Sequence, residues 1–158
     1  MTYVSKKLPN GTEEFVTLIE SGKGMDLGIF YYRRGLIMES FINYLTQETL
    51  NDVIVAGYID SEELPVFHPM YERLFFVFGD LTYEVYLDDG LIKVNRVNEI
   101  KVWFDVDEDD KFSLMSIYSQ LFKTEHEISV SKVSYEQVPL SGMSITYHEG
   151  DIERVLTL

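Results

Sequence analysis

The stretch Leu74 to Val106, LFFVFGDLTYEVYLDDGLIKVNRVNEIKVWFDV, decides the fold. Phe75, Phe76, Val77 and Phe78 form a continuous apolar run, as in a strand covered on both faces. Gly79-Asp80 interrupts it. Tyr83, Val85 and Leu87 then alternate with Thr82, Glu84 and Tyr86. A period of two puts the first set on a core face and the second toward solvent or a rim. Asp88-Asp89-Gly90 follows. Asp-Gly between two such runs predicts a hairpin, because both turn residues must tolerate positive φ. Leu91 to Val97, with β-branched Ile92, Val94 and Val97, is the return strand. Beyond Asn98-Glu99, the alternation of Ile100, Val102 and Phe104 with Lys101, Trp103 and Asp105 predicts one strand more. The stretch is thus an antiparallel meander, and nothing on it is arranged for catalysis.

Downstream lies DVDEDDKF, residues 105–112. Asp105, Asp107 and Asp109 match the opening ligands of a helix–loop–helix calcium loop, but Asp110 stands where a Gly is required and Ser116 where a bidentate Glu is. The motif is therefore absent, and no metal site is assigned. Leu114, Ile117, Tyr118, Leu121 and Phe122 then recur at helical spacing. They predict the chain's one clear α-helix near residues 111–123, with carboxylates before its N-terminus and Lys123 at its end. Ile128 to Val138 predicts a strand with a bulge near Lys132. Met143 to His148 and Ile152 to Leu158 predict a last hairpin around Glu149-Gly150-Asp151.

Upstream, residues 3–8 and 14–20 predict short strands around a Pro9-Asn10-Gly11 turn. Ser21-Gly22-Lys23-Gly24 is a loop and not a phosphate loop, since Thr17 stands where the earlier Gly is needed. Leu27 to Tyr32 predicts a strand, broken at Arg33-Arg34-Gly35. Residues 36–45 allow two readings. Ile37, Phe41, Tyr44 and Leu45 fall at helical spacing, yet Gly35 could close a hairpin and no N-cap residue precedes Leu36, so a strand is expected. Val53 to Ile59 predicts a buried strand. Asp60 to Pro69, which carries Pro65, His68 and Pro69, predicts an irregular loop.

A chain of 158 residues is about one domain, spanning 1–158. At this size roughly 68–70% of the unfolded surface is buried on folding, so neither disulfide nor metal is needed. Eleven Tyr and ten Phe against one Trp suit pleated surfaces. The expected class is mainly β (α+β), with an antiparallel sheet, sandwich or partly open barrel of about nine or ten strands. The chain has no cysteine, which excludes a disulfide framework, a thiol nucleophile and cysteine-ligated zinc or iron–sulfur centres. The N-terminal residues lack an apolar leader and no apolar run is long enough to span a bilayer, so a cytoplasmic protein is expected.

The formal net charge is −14. A field of that sign repels phosphate, which argues against nucleic acid and anionic membranes as partners and favours a basic protein. Solubility alone also explains such a charge. The chain has no G-x-S-x-G, no H-E-x-x-H and no dinucleotide fingerprint, so no catalytic residue and no cofactor are assigned. The function expected is a non-catalytic acidic binding protein of inhibitor or immunity type. Asp105, Asp107, Asp109 and Asp110 would carry the binding, with His68, Tyr86 and Trp103 beside them. A β-barrel small-molecule binder or enzyme is the alternative, with an aromatic pocket and His68, His126 or His148 as polar handle. A third reading is a subunit of a larger assembly, or a homo-oligomer, joined through an exposed strand edge such as Ile152 to Leu158.

Overall fold

The structure is a computed structural model that describes residues 2–7, 13–18, 27–60, 64–135 and 142–158. The predicted turn at Pro9-Asn10-Gly11, the loop at Ser21–Gly24 and residues 136–138 of the strand predicted over Ile128 to Val138 lie outside these residues. The chain divides into two compact units, Met1–Leu36 and Ile37–Leu158. In the first unit, β1 (Thr2–Lys7) and β2 (Glu13–Leu18) pair antiparallel, from Thr2 opposite Leu18 to Lys7 opposite Glu13. Both were predicted.

Helix α1 (Leu27–Gln47) replaces the strands expected over Leu27 to Tyr32 and over 36–45. It runs through Gly35, although Gly in a helix interior costs about 1 kcal/mol. Burial of a helical stripe outweighs that cost. Met38, Phe41 and Leu45 recur at spacings of three and four and are buried. Phe41 is fully enclosed, with its ring 5.3 Å from Phe76 and 5.4 Å from Tyr83.

The second unit contains a five-stranded antiparallel sheet in the order β6-β5-β4-β3-β7. Its strands are β3 (Asp52–Asp60), β4 (Val66–Phe78), β5 (Leu81–Asp88), β6 (Leu91–Val97) and β7 (Lys111–Ser116). The meander β4-β5-β6 is the one predicted. Asp88 faces Leu91 across a two-residue loop, and Asp89 and Gly90 take φ of 50° and 73°, as a type I′ turn demands. The loop expected over Asp60 to Pro69 is shorter, because β4 already begins at Val66.

Two expectations in this region fail. No strand forms at 100–104, since Trp103 and Phe104 pack edge-to-face at 5.2 Å and a strand would point them to opposite sides. The helix expected near 111–123 is a strand followed by the single turn-and-a-half of α2 (Tyr118–Phe122). Residues 111–116 pair with β3 from Ile59 opposite Lys111 to Ile54 opposite Ser116, and Ile117 N–H continues to the Val53 carbonyl at 2.7 Å. Completing the β3 ladder satisfies the backbone of β3, whereas Ser113 and Ser116 offer little to a helix.

A three-stranded antiparallel sheet follows, in the order β10-β9-β8, built from β8 (Ser129–Tyr135), β9 (Met143–Glu149) and β10 (Ile152–Thr157). The register shifts between Val130 and Lys132, where the bulge was predicted. The two sheets hold eight strands and not nine or ten, and neither closes a barrel. One core joins them. Phe76, Tyr83, Val85 and Val94 meet α1 on one face of the large sheet, and Ile117, Phe122, Met143, Ile145 and Tyr147 extend the same cluster.

Candidate functional site

Alternation places Arg73, Phe75, Glu84, Tyr86 and Asn95 on the face of the large sheet opposite α1. Phe75 is 2% exposed, yet it is not part of the cluster packed on α1. A strap covers that face. Residues 98–110 have no regular secondary structure and carry Trp103 and Phe104 over it.

The Arg73 guanidinium lies between two rings, 4.7 Å from the Tyr86 centroid and 4.6 Å from that of Trp103. Its Nη1 donates to Glu84 Oε1 at 2.6 Å. Asn95 Nδ2 donates to Glu84 Oε2 at 3.2 Å and to the Tyr86 hydroxyl at 3.4 Å. Glu84 is only 8% exposed, and a buried carboxylate is tolerated when such partners compensate its lost hydration. A planar guanidinium can stack on both rings and bind the carboxylate in its own plane at once, which an ammonium cannot. The aromatic series continues from Trp103 through Phe104 to Tyr58 at 6.5 Å and Phe112 at 6.1 Å. Tyr58 in turn stacks on His68 at 4.9 Å with the planes 15° apart.

Asp105, Asp107, Glu108 and Asp109 are exposed at the C-terminal end of the strap. Asp110 N–H donates to the Asp107 carbonyl at 3.0 Å and closes a tight turn. Desolvation and the Asp60, Asp107 and Asp109 carboxylates raise the Asp110 pKa, while His68 opposes them. The residues singled out in the sequence fall into two groups. Tyr86 and Trp103 meet around Arg73. His68 lies within electrostatic reach of the acidic turn, and Asp105 is exposed on the strap, between Trp103 and Asp107 in sequence.

A separate cleft of about 420 Å³ opens where the α1–β3 connection, the β7–α2 junction and the α2–β8 loop meet. Asp52, Ser116, Tyr118, Glu125, His126 and Glu127 are among its walls. Asp52 Oδ1 accepts from Ser116 Oγ at 2.6 Å and from Val53 N–H at 2.7 Å. The Tyr118 hydroxyl donates to the His126 carbonyl at 3.0 Å and accepts from Ile128 N–H at 3.2 Å. Burial raises the Tyr118 pKa, the Ile128 N–H lowers it, and the Glu127, Asp52 and Glu149 carboxylates raise it further. The cleft is thus polar and negative. It is not the aromatic barrel interior considered in the small-molecule reading. Of the three histidines, His126 lies here, on the α2–β8 loop, and His148 lies on β9 beside Ser131 at 3.1 Å and Glu153 at 3.4 Å.

Among the described residues, no group of three or more His, Asp or Glu side chains could hold a metal ion. Among the same residues, no helix is long and apolar enough to cross a membrane. No protein-family model, curated protein or solved structure matches the chain.

Sequence reasoning missed Arg73, Glu84 and the cleft. Glu84 was detectable as a charge between Tyr83 and Val85, where a buried ion implies a partner, whereas Arg73, beside Glu72, carried no such signal. The cleft residues come from three separated segments and share no local pattern.

Proposed function

We propose that the protein is a non-catalytic acidic binding protein of the inhibitor or immunity type, which engages a basic protein partner through the strap. The observation that carries this reading is the row of exposed carboxylates Asp105, Asp107, Glu108 and Asp109 on the strap, held in a tight turn by the Asp110 N–H to Asp107 carbonyl bond. Carboxylates clustered in one turn create a local negative potential, and a Lys or Arg of a partner relieves it. The net charge of −14 extends the field beyond the turn and speeds encounter with a basic surface. Tyr86 and Trp103 supply aromatic area beside the charges, the side-chain type enriched at binding surfaces. Carboxylates spaced along the strap would stand in for the phosphates of a nuclease's substrate.

The test is capture on immobilised protein. The lysate and secreted fraction of the source cells are loaded at low salt and eluted with a salt gradient. A basic protein is expected to be retained by the native chain and released at moderate salt. Retention should be lost with a Asp107→Lys/Asp109→Lys/Asp110→Lys variant that keeps its circular dichroism spectrum. Undiminished capture by that variant defeats the reading.

A further inference from the structure

We propose that the outer edge of β7 is a docking edge, to which an extended basic segment of a partner protein adds as a further antiparallel strand. The proposal rests on the reading of the partner as a basic protein and identifies where on this chain that partner attaches.

The backbone geometry comes first. Ile117 N–H bonds to the Val53 carbonyl, and the register of β7 on β3 is continuous from that point. In an antiparallel pair, hydrogen-bonded and non-hydrogen-bonded residues alternate. Ser113 and Met115 therefore turn their amide groups toward β3, while Phe112, Leu114 and Ser116 turn theirs outward. β7 ends the sheet order, and among the described residues no other strand pairs with it. Leu114 is 47% exposed.

The other edges of the five-stranded and three-stranded sheets are defended. Natural proteins place charges and bulges on free edges to block pairing with other chains. β6 carries Lys93 and Arg96, β10 carries Glu153 and Arg154, and β8 carries Lys132 and a bulge. β7, KFSLMS, has one charge, at its first residue, and none from Phe112 to Ser116. Its six residues offer about 20 Å of edge.

Charge complementarity selects the occupant. The acidic turn through Asp107 and Asp109 precedes the strand directly. Its other end, Ser116, borders the cleft walled by Asp52, Glu125 and Glu127. A strand with cationic residues at both ends and small or β-branched residues between them matches this layout. Main-chain hydrogen bonds to the edge would give affinity, and the terminal charges would select for a basic segment.

The probe is a fluorescent peptide, Lys-Lys-Thr-Val-Thr-Val-Thr-Lys-Lys, titrated with the full chain at low salt and read by anisotropy. A counterpart with Glu in place of every Lys is the control. Saturable binding of the basic peptide alone is expected. Leu114→Pro removes an outward N–H, a position where an edge strand accepts Pro, and should weaken binding about tenfold or more. Equal binding by Leu114→Pro and the native chain overturns the edge. If Asp107→Lys/Asp109→Lys/Asp110→Lys then still loses the peptide, the basic-partner reading survives without it. No binding of the basic peptide, or equal binding of the acidic one, also overturns the docking edge; partner capture then judges the basic-partner reading separately. Two peptides N-methylated on alternate residues test the edge with the protein unaltered. One should keep its affinity and the other lose it, and equal behaviour of the two overturns the proposal.

Discussion

Gly57 shows how much a single position can constrain the sheet. A Cβ there would run into the His68 carbonyl oxygen and come within 2.7 Å of the Phe67 ring. The β3–β4 register shifts beside it, between Val55 and Gly57. The close approach of two backbones leaves no room for a methyl group, so Gly57→Ala should destabilise the fold by about 1–3 kcal/mol, as overpacking does. A lowered urea midpoint checks this, and an unchanged midpoint would mean the strands separate at no cost. Asp110 gives a prediction of opposite sign. Its pKa is raised in the fold above the ordinary 3.8, chiefly by desolvation and then by Asp60 and Asp107. The folded state therefore favours the protonated acid. The stabilisation is complete below the unfolded pKa and is lost as pH rises through the folded one, so ionised Asp110 weakens the fold at neutral pH. Asp110→Asn should raise the urea midpoint at neutral pH, and the gain should vanish below about pH 4. A gain independent of pH would assign the effect to something other than charge.

The strap is the element on which sheet face and binding surface both depend, and Arg73 is its anchor. Arg73→Ala should cost about 1.5–3 kcal/mol by leaving the Glu84 carboxylate with Asn95 alone. Trp103 is the only tryptophan, so its fluorescence reports the strap directly. In Arg73→Ala its emission should shift to the red while the circular dichroism spectrum holds. Arg73→Met/Glu84→Leu should recover most of the lost stability, because removing both charges leaves none buried without a partner. Unchanged emission in Arg73→Ala would show that the strap is held by Phe104 and not by the stack. These elements also show what a sequence can and cannot express. The hairpin at Asp89-Gly90 was legible because its conformation is decided by two adjacent residues. The bulge before Lys132 was legible as a break in local alternation. Residues 111–116 were misread because Leu114, Ile117 and Tyr118 fit a helical period, while the deciding influence, the open edge of β3, is some 55 residues away in sequence. Residues 27–47 were misread for the converse reason. Arg33-Arg34-Gly35 looks like a local break, but the burial of Met38, Phe41 and Leu45 carries the helix through it. In the candidate site, the acidic turn was visible as composition. The Arg73 cage and the cleft required the fold, because each joins residues from separate strands or loops.

At the scale of the whole molecule, charge acts on folding and on binding in opposite ways. A chain with net charge −14 repels itself, and compaction brings its carboxylates closer together. Among the described residues, the ion pairs that oppose this are few and mostly on the surface, such as Arg154 with Glu149 at 3.8 Å and Lys101 with Glu99 at 4.0 Å, where screening leaves little energy. Added salt should therefore stabilise the fold, with the urea midpoint rising as sodium chloride is increased toward about 0.5 M, where the screening length falls to a few ångström. Capture of a basic partner should decline over the same range, because the same screening removes the attraction. The pair of slopes separates two purposes of the charge. If the midpoint rises and capture falls, the acidic surface weakens the fold in exchange for attraction to a basic partner. If the midpoint rises and nothing basic is held even at low salt, the carboxylates serve solubility and the binding reading loses its physical basis. A midpoint that falls with salt would show attractive networks prevailing over self-repulsion, and the raised Asp110 pKa would then be confined to its own turn.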